Sequence, residues 1–128
     1  MSLKYLNRFL VEGPCIALCT DHKKLVAECR RLKVPEHEIP PFLGREGAHA
    51  TTHFLRSPNG QMVAIVTIKL LRRHSREQDY AMLVHEAVHI FRHFCVEIQE
   101  EHPSDEFEAY SIQGISQRLM LALAEQRR

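Results

Sequence analysis

The chain has 128 residues, of which 45 % are hydrophobic and 26 % are charged. These proportions are typical of a soluble globular protein, and the length suffices for a single hydrophobic core, so we expect one domain over residues 1–128. The formal net charge is only +1. Because non-specific binding to a phosphate backbone uses an excess of basic residues, the charge argues against nucleic acid as the main partner and disfavours a DNA-associated accessory protein.

The sequence shows neither a secretory signal pattern after Met1 nor an apolar run long enough to cross a bilayer, so no membrane partner is expected. Its four cysteines lack CxxC spacing and are predicted to be buried free thiols. They are Cys15, Cys19, Cys29 and Cys95. A cytoplasmic location is the corresponding expectation.

The first third of the chain predicts one strand and one helix. Residues 3–12 are amphipathic without a clear period and indicate a short helix or an edge strand. After Gly13-Pro14, the compact apolar run Cys15–Cys19 is typical of a buried strand. A helix over Lys23–Lys33 follows, with Thr20 or Asp21 as its N-cap.

A β-hairpin is predicted after a linker over 35–47 that is rich in Pro, Glu, His and Gly. Residues 48–55 alternate polar and apolar side chains, and Ser57-Pro58-Asn59-Gly60 supplies the turn. Residues 61–71 are apolar on both faces, which predicts a central strand that is covered on both sides.

The motif that carries chemistry is His85-Glu86-Ala87-Val88-His89, an HExxH pattern. A capping box formed by Ser75 and Gln78 predicts the start of its helix. On a helix, His85 and His89 lie on one face four residues apart, where their imidazoles can hold one Zn²⁺. Glu86 can then act as the general base that takes a proton from the metal-bound water.

Apolar residues surround this motif almost completely, which predicts a buried helix. A last helix begins after its cap Ser104 and extends to about Gln126. The predicted fold class is therefore α+β, with a small sheet on one side and the helices on the other.

The motif followed by a helix with glutamates resembles the zincin metallopeptidases, and specifically the gluzincin branch, in which the third zinc ligand is a glutamate. The pattern is similar to small zincin-like proteins encoded by phages and prophages. The resemblance implies a minimal zincin-like domain in which a β-hairpin packs on the HExxH helix and a C-terminal helix. It also implies zinc as the cofactor and a peptide or protein as the substrate.

Two glutamates compete as the third ligand. Peptidases that process prenylated CAAX proteins carry Glu-x-x-Ala-Asp, which matches Glu106 as ligand but places Tyr110 where that family has Asp. Thermolysin-like enzymes have a ligand Glu followed by Ala, which selects Glu108. Glu108 also shares a helical stripe with Ile112, Ile115 and Leu119, so its carboxylate is expected to face inward.

Helix geometry restricts both candidates. If the motif helix continues to Glu100, residue 106 lies about 15 Å along the axis from His89. A glutamate ligand therefore requires the helix to end or bend near 94–96, and His93 is the alternative ligand. Tyr110 could stabilise an oxyanion or could instead be a core aromatic.

His49 and His53 share one face of the predicted edge strand and either border the cleft or lie on the surface. The sequence thus favours a zinc-dependent hydrolase, specifically a metallopeptidase. The alternative is a non-catalytic binding or accessory module with the zincin fold, of phage origin. Neither the substrate nor the oligomeric state follows from the sequence.

Overall fold

A three-stranded sheet and three helices make up the computed structural model, which describes residues 3–6 and 13–127. The strands are β1 (Cys15–Cys19), β2 (Ala50–Arg56) and β3 (Met62–Ile68), and the helices are α1 (His22–Arg31), α2 (Arg76–Glu97) and α3 (Asp105–Gln126). A single 3₁₀ turn over Glu36–Glu38 interrupts the linker. The predicted α+β class is confirmed.

The sheet order is β1-β3-β2, with β1 parallel and β2 antiparallel to β3. Every residue of β3 is buried, which confirms that the second hairpin strand is central. Gly60 adopts a φ of +86° in the hairpin turn, where glycine carries no steric penalty. At the other edge of the sheet, Tyr5 forms an isolated antiparallel bridge with Ala17, while the rest of the predicted element over 3–12 extends beyond the described residues.

The predicted layering is wrong in one respect, because the helices cover both faces of the sheet. Leu25 and Cys29 of α1 pack with Val63 and Ile65 on one face. On the other face, α2 and α3 pack on the even-numbered residues of β3. The period of two along a strand separates these sets, and both are apolar because β3 is covered on both sides.

The ends of α2 are defined by local hydrogen bonds. Ser75 and Gln78 form the predicted capping box at its start. At its end, the N–H of Glu100 donates to the carbonyl of Cys95, and Gln99 takes the left-handed conformation with φ +58°. The helix is therefore continuous through Glu97, with no break near 94–96.

The prediction that α2 is buried all round is also wrong. Leu83, Ala87 and Ile90 are fully buried, but His85 and His89 lie on an exposed face. The sheet covers one side of the helix and α3 a second, which leaves a third side open to solvent. The motif histidines occupy that open side.

The remaining helices and the cysteines agree closely with expectation. Asp21 caps α1 and Ser104 caps α3. All four cysteines are free, with Cys15 partly buried and the other three buried. Within 3–6 and 13–127, no helix has the length and apolar character needed to cross a membrane.

Candidate functional site

A cleft of about 860 Å³ runs between α2 and the free edge of β2. Its walls are residues between 44 and 54 on the strand side and residues between 81 and 89 on the helix side. His85, Glu86 and His89 all line it. The open side of α2 is thus one wall of this cleft.

The two motif histidines approach each other closely at the cleft. Their Nε2 atoms are 3.2 Å apart and their ring centroids 4.9 Å apart. Two nitrogens on adjacent corners of a tetrahedral zinc, each about 2.05 Å from the metal, are about 3.3 Å apart. The spacing of the imidazoles therefore fits two corners of such a site.

Glu86 differs from its neighbours because its side chain is buried, with only 6 % of the residue exposed. Its Oε1 accepts a hydrogen bond of 2.8 Å from the hydroxyl of Thr52 on β2. This bond leaves Oε2 available to a second partner at the floor of the cleft. The carboxylate is therefore fixed between the helix and the edge strand.

The two candidate glutamates of α3 do not join the histidine pair. Glu106 is exposed, and Glu108 forms an ion pair with Arg92, one helical turn beyond His89. Neither lines the cleft. Across 3–6 and 13–127, no three His, Cys, Asp or Glu side chains lie close enough to hold one ion.

The other predicted residues are separate from the pair. His93 stacks on Phe54 with ring centroids 3.9 Å apart and interplanar angle 11°. Tyr110 is 63 % exposed, so the interpretation as a core aromatic is wrong. Tyr110 also does not line the cleft.

His49 and His53 have different surroundings, although the alternation of the strand predicts that they share one face. His49 lines the cleft, and its ring lies against that of His74 with centroids 4.8 Å apart. His53 is buried on the α1 face, where its Nε2 contacts the carbonyl of Phe42 at 3.0 Å and the hydroxyl of Thr67 at 3.2 Å. Burial lowers the pKa of His53, which outweighs the opposite effects of the Phe42 carbonyl and the Glu86 carboxylate.

Two contributions to the site were missed from the sequence. Thr52 holds Glu86, and the segment 44–48 forms the outer wall of the cleft. The alternation along β2 carried a signal for Thr52, because it is the polar residue between Ala50 and Phe54 on the face toward α2. No comparable pattern marks the linker, whose position depends on tertiary contacts such as the bond from Gly44 N–H to the Thr51 hydroxyl.

Comparison with known proteins adds no relative. No protein-family model, no characterised protein and no solved structure matches this chain significantly. The class of protein must therefore be inferred from the fold and the site alone.

Proposed function

We propose that this chain is a zinc-dependent hydrolase, specifically a metallopeptidase, in which His85 and His89 hold the metal and Glu86 is the general base. The observation that carries the proposal is the pair of imidazole nitrogens 3.2 Å apart in a cleft that also contains a buried carboxylate. The resemblance of the motif to zincins points to the same chemistry. Zinc, when bound, would polarise the scissile carbonyl and lower the pKa of a water molecule.

The role of Glu86 follows from its position. One carboxylate oxygen is held by Thr52, and the other is free to accept a proton from the attacking water and return it to the leaving amine. A buried carboxylate that accepts from a single donor among the described residues is costly unless it has a further partner.

The free edge of β2 suits an extended peptide. Lys69 N–H donates to the carbonyl of His49, and Ser57 N–H donates to the carbonyl of Gln61. The backbone N–H and C=O groups of the odd-numbered residues of β2 therefore point toward β3. The backbone N–H and C=O groups of Ala50 and Thr52 then point away from the sheet. A substrate could add a strand there, directly beside His85 and Glu86.

A second candidate is a non-catalytic binding module of the same fold. The observation that favours it is that Glu106 is exposed and Glu108 is paired with Arg92, so α3 contributes no third ligand as placed. Two imidazoles alone hold zinc weakly compared with the three protein ligands of catalytic sites. Such a module would still bind extended peptides along β2.

Zinc titration followed by a turnover assay tests the proposal. The protein, stripped with chelator and titrated by calorimetry, is expected to bind one zinc per chain. Hydrolysis of an unstructured protein substrate should appear with zinc and disappear with chelator. Zinc binding without hydrolysis of any substrate in a diverse peptide library would favour the binding module, and the absence of zinc binding would overturn the hydrolase.

A further inference from the structure

The hydrogen bond between Thr52 and Glu86 joins the edge strand to the motif helix at the floor of the cleft. The Thr52 hydroxyl donates to Oε1 of Glu86 at 2.8 Å. Among the described residues, no other side chain forms a hydrogen bond with this carboxylate. Glu86 lies on the buried side of α2, where its neighbours Leu83 and Ala87 are apolar. The orientation of the carboxylate therefore depends on one donor.

Threonine is suited to fix that donor. Its β-branched side chain has restricted χ1 freedom, so a strand position determines where the hydroxyl lies. Thr52 is half-buried between Ala50 and Phe54, neither of which has a polar side chain. Because a hydroxyl has one proton, donation to Glu86 also excludes donation elsewhere.

We propose that Thr52 is a positioning residue for the general base: it holds Oε1 of Glu86 so that Oε2 faces the cleft. This inference rests on the proposed function for its catalytic consequence. The backbone of the same residue points to the free edge of β2, where an added peptide strand would pair. The side chain of Thr52 thus holds the general base, while its backbone would pair with the substrate, so this one residue fixes the position of the base relative to the substrate strand.

The expected consequence lies in the chemical step rather than in binding. A base must be held within about 0.5 Å of its productive position. Thr52→Val, which keeps the shape and removes the hydroxyl, should lower kcat about 10-fold and leave KM and zinc affinity within about 2-fold. Thr52→Ser, which retains the hydroxyl, should recover most of kcat.

The test combines this kinetic split with a measurement that needs no activity. The ¹³C carboxyl signal of Glu86, assigned by its loss in Glu86→Gln, is compared at one fixed pH in wild type, Thr52→Val and Thr52→Ser. We expect the chemical shift of this signal to change in the valine variant, which lacks the hydrogen bond, and to return in the serine variant. Thr20→Val is the matched control, because it removes another hydroxyl-to-side-chain hydrogen bond, to Gln126, and neither residue lines the cleft.

The outcomes separate the inference from the proposed function. If the Glu86 signal is the same in Thr52→Val and wild type, the positioning role is wrong, whatever the activity. If the signal responds but wild type neither binds zinc nor hydrolyses peptides, the hydrogen bond stands and the metallopeptidase proposal fails. A loss of kcat that Thr52→Ser does not recover would also contradict the role of the hydroxyl.

Discussion

Thr52 and His53 are neighbours in β2 whose side chains enter two different polar clusters on opposite faces of the sheet. On the α1 face, His53 contacts the Phe42 carbonyl and the Thr67 hydroxyl, and both His53 and Thr67 are buried. On the α2 face, the histidines of the motif are exposed, and the contact of each Nε2 is the other Nε2. The sequence contains nine histidines, and their chemistry is distinguished by their partners.

A structural histidine differs from a candidate metal ligand in the hydrogen-bond partners of its ring nitrogens. An imidazole that donates to a carbonyl has a fixed tautomer and no lone pair to offer from that nitrogen. Two nitrogens facing each other across 3.2 Å can share one proton or hold one cation. Removal of His53 should therefore affect folding, whereas removal of His85 or His89 should affect metal binding.

The largest expected effect is on zinc. His85→Ala and His89→Ala should each reduce zinc affinity by about 100-fold or more, since each removes one of the two close nitrogens. Calorimetric titration measures the affinity, and His53→Gln should bind zinc as wild type does. If both alanine variants keep wild-type affinity, the pair is not the metal site.

The next effect concerns catalysis without metal loss. Glu86→Gln should retain zinc, because Glu86 is not proposed as a ligand, and should lower the hydrolysis rate about 10²–10⁴-fold, because an amide cannot accept the proton. Zinc content and turnover are measured on the same sample. Activity that survives in this variant would originate outside the cleft.

The structural cluster should respond in stability instead. His53→Ala removes a donor to the Phe42 carbonyl and leaves a cavity beside Thr67, at a cost of about 1–3 kcal/mol in the free energy of unfolding. Urea denaturation of the metal-free protein measures this cost. Exposed His37, converted to Ala, is the control and should change stability by less than about 0.5 kcal/mol.

The same histidine predicts a pH dependence. Burial lowers the pKa of His53 in the folded state below the ordinary histidine value of 6.5, so the unfolded chain binds more protons at mildly acidic pH. Its contribution to stability is complete above pH 6.5 and is lost as the pH falls from that value toward the folded-state pKa. The slope from this one group is at most about 1.4 kcal/mol per pH unit. In His53→Gln, the free energy of unfolding should fall less steeply with decreasing pH than in wild type. If the free energy of unfolding of the two proteins has the same pH dependence, His53 does not contribute to it.

Periodic patterns in the sequence predicted most of the elements, whereas tertiary contacts determined the rest. The alternation along β2, the apolar run of β3 and the capping box at Ser75 are local signals, and each was confirmed. The end of α2 depends on a left-handed residue that is Gln99 rather than glycine, so no local signal marked it. The placement of α1 on the opposite face of the sheet likewise depends on the path of the chain.

In the candidate site, too, local spacing predicted some features and tertiary contacts determined the others. The i, i+4 spacing of His85 and His89 predicted one shared face, and their rings are adjacent. The burial of α2 was overestimated because periodicity does not reveal that only two of its sides are covered. The partners of Glu86 and Glu108, namely Thr52 and Arg92, are 34 and 16 residues away in sequence and follow no spacing rule.

The smallest expected effect concerns the third ligand. The Arg92–Glu108 ion pair places the first turn of α3 beside α2, one helical turn beyond His89, whereas Glu106 is exposed. If Glu108 completes the metal site, it must leave Arg92 to do so, and the two contacts compete. Glu108→Gln should then weaken zinc binding about 10-fold, while Glu106→Gln should leave it unchanged.

Arg92→Ala provides the sharper measurement, because competition predicts the opposite sign. The loss of the ion pair frees the Glu108 carboxylate, so zinc affinity should increase by a few-fold at low ionic strength, where partly exposed ion pairs are strongest. Arg73→Ala, which alters an exposed arginine in the loop before α2, should have no effect. A decrease for Glu106→Gln alone would assign that residue as the ligand. If zinc affinity is unchanged in all of these variants, the glutamate-ligand assignment fails, and His93→Ala becomes the decisive variant.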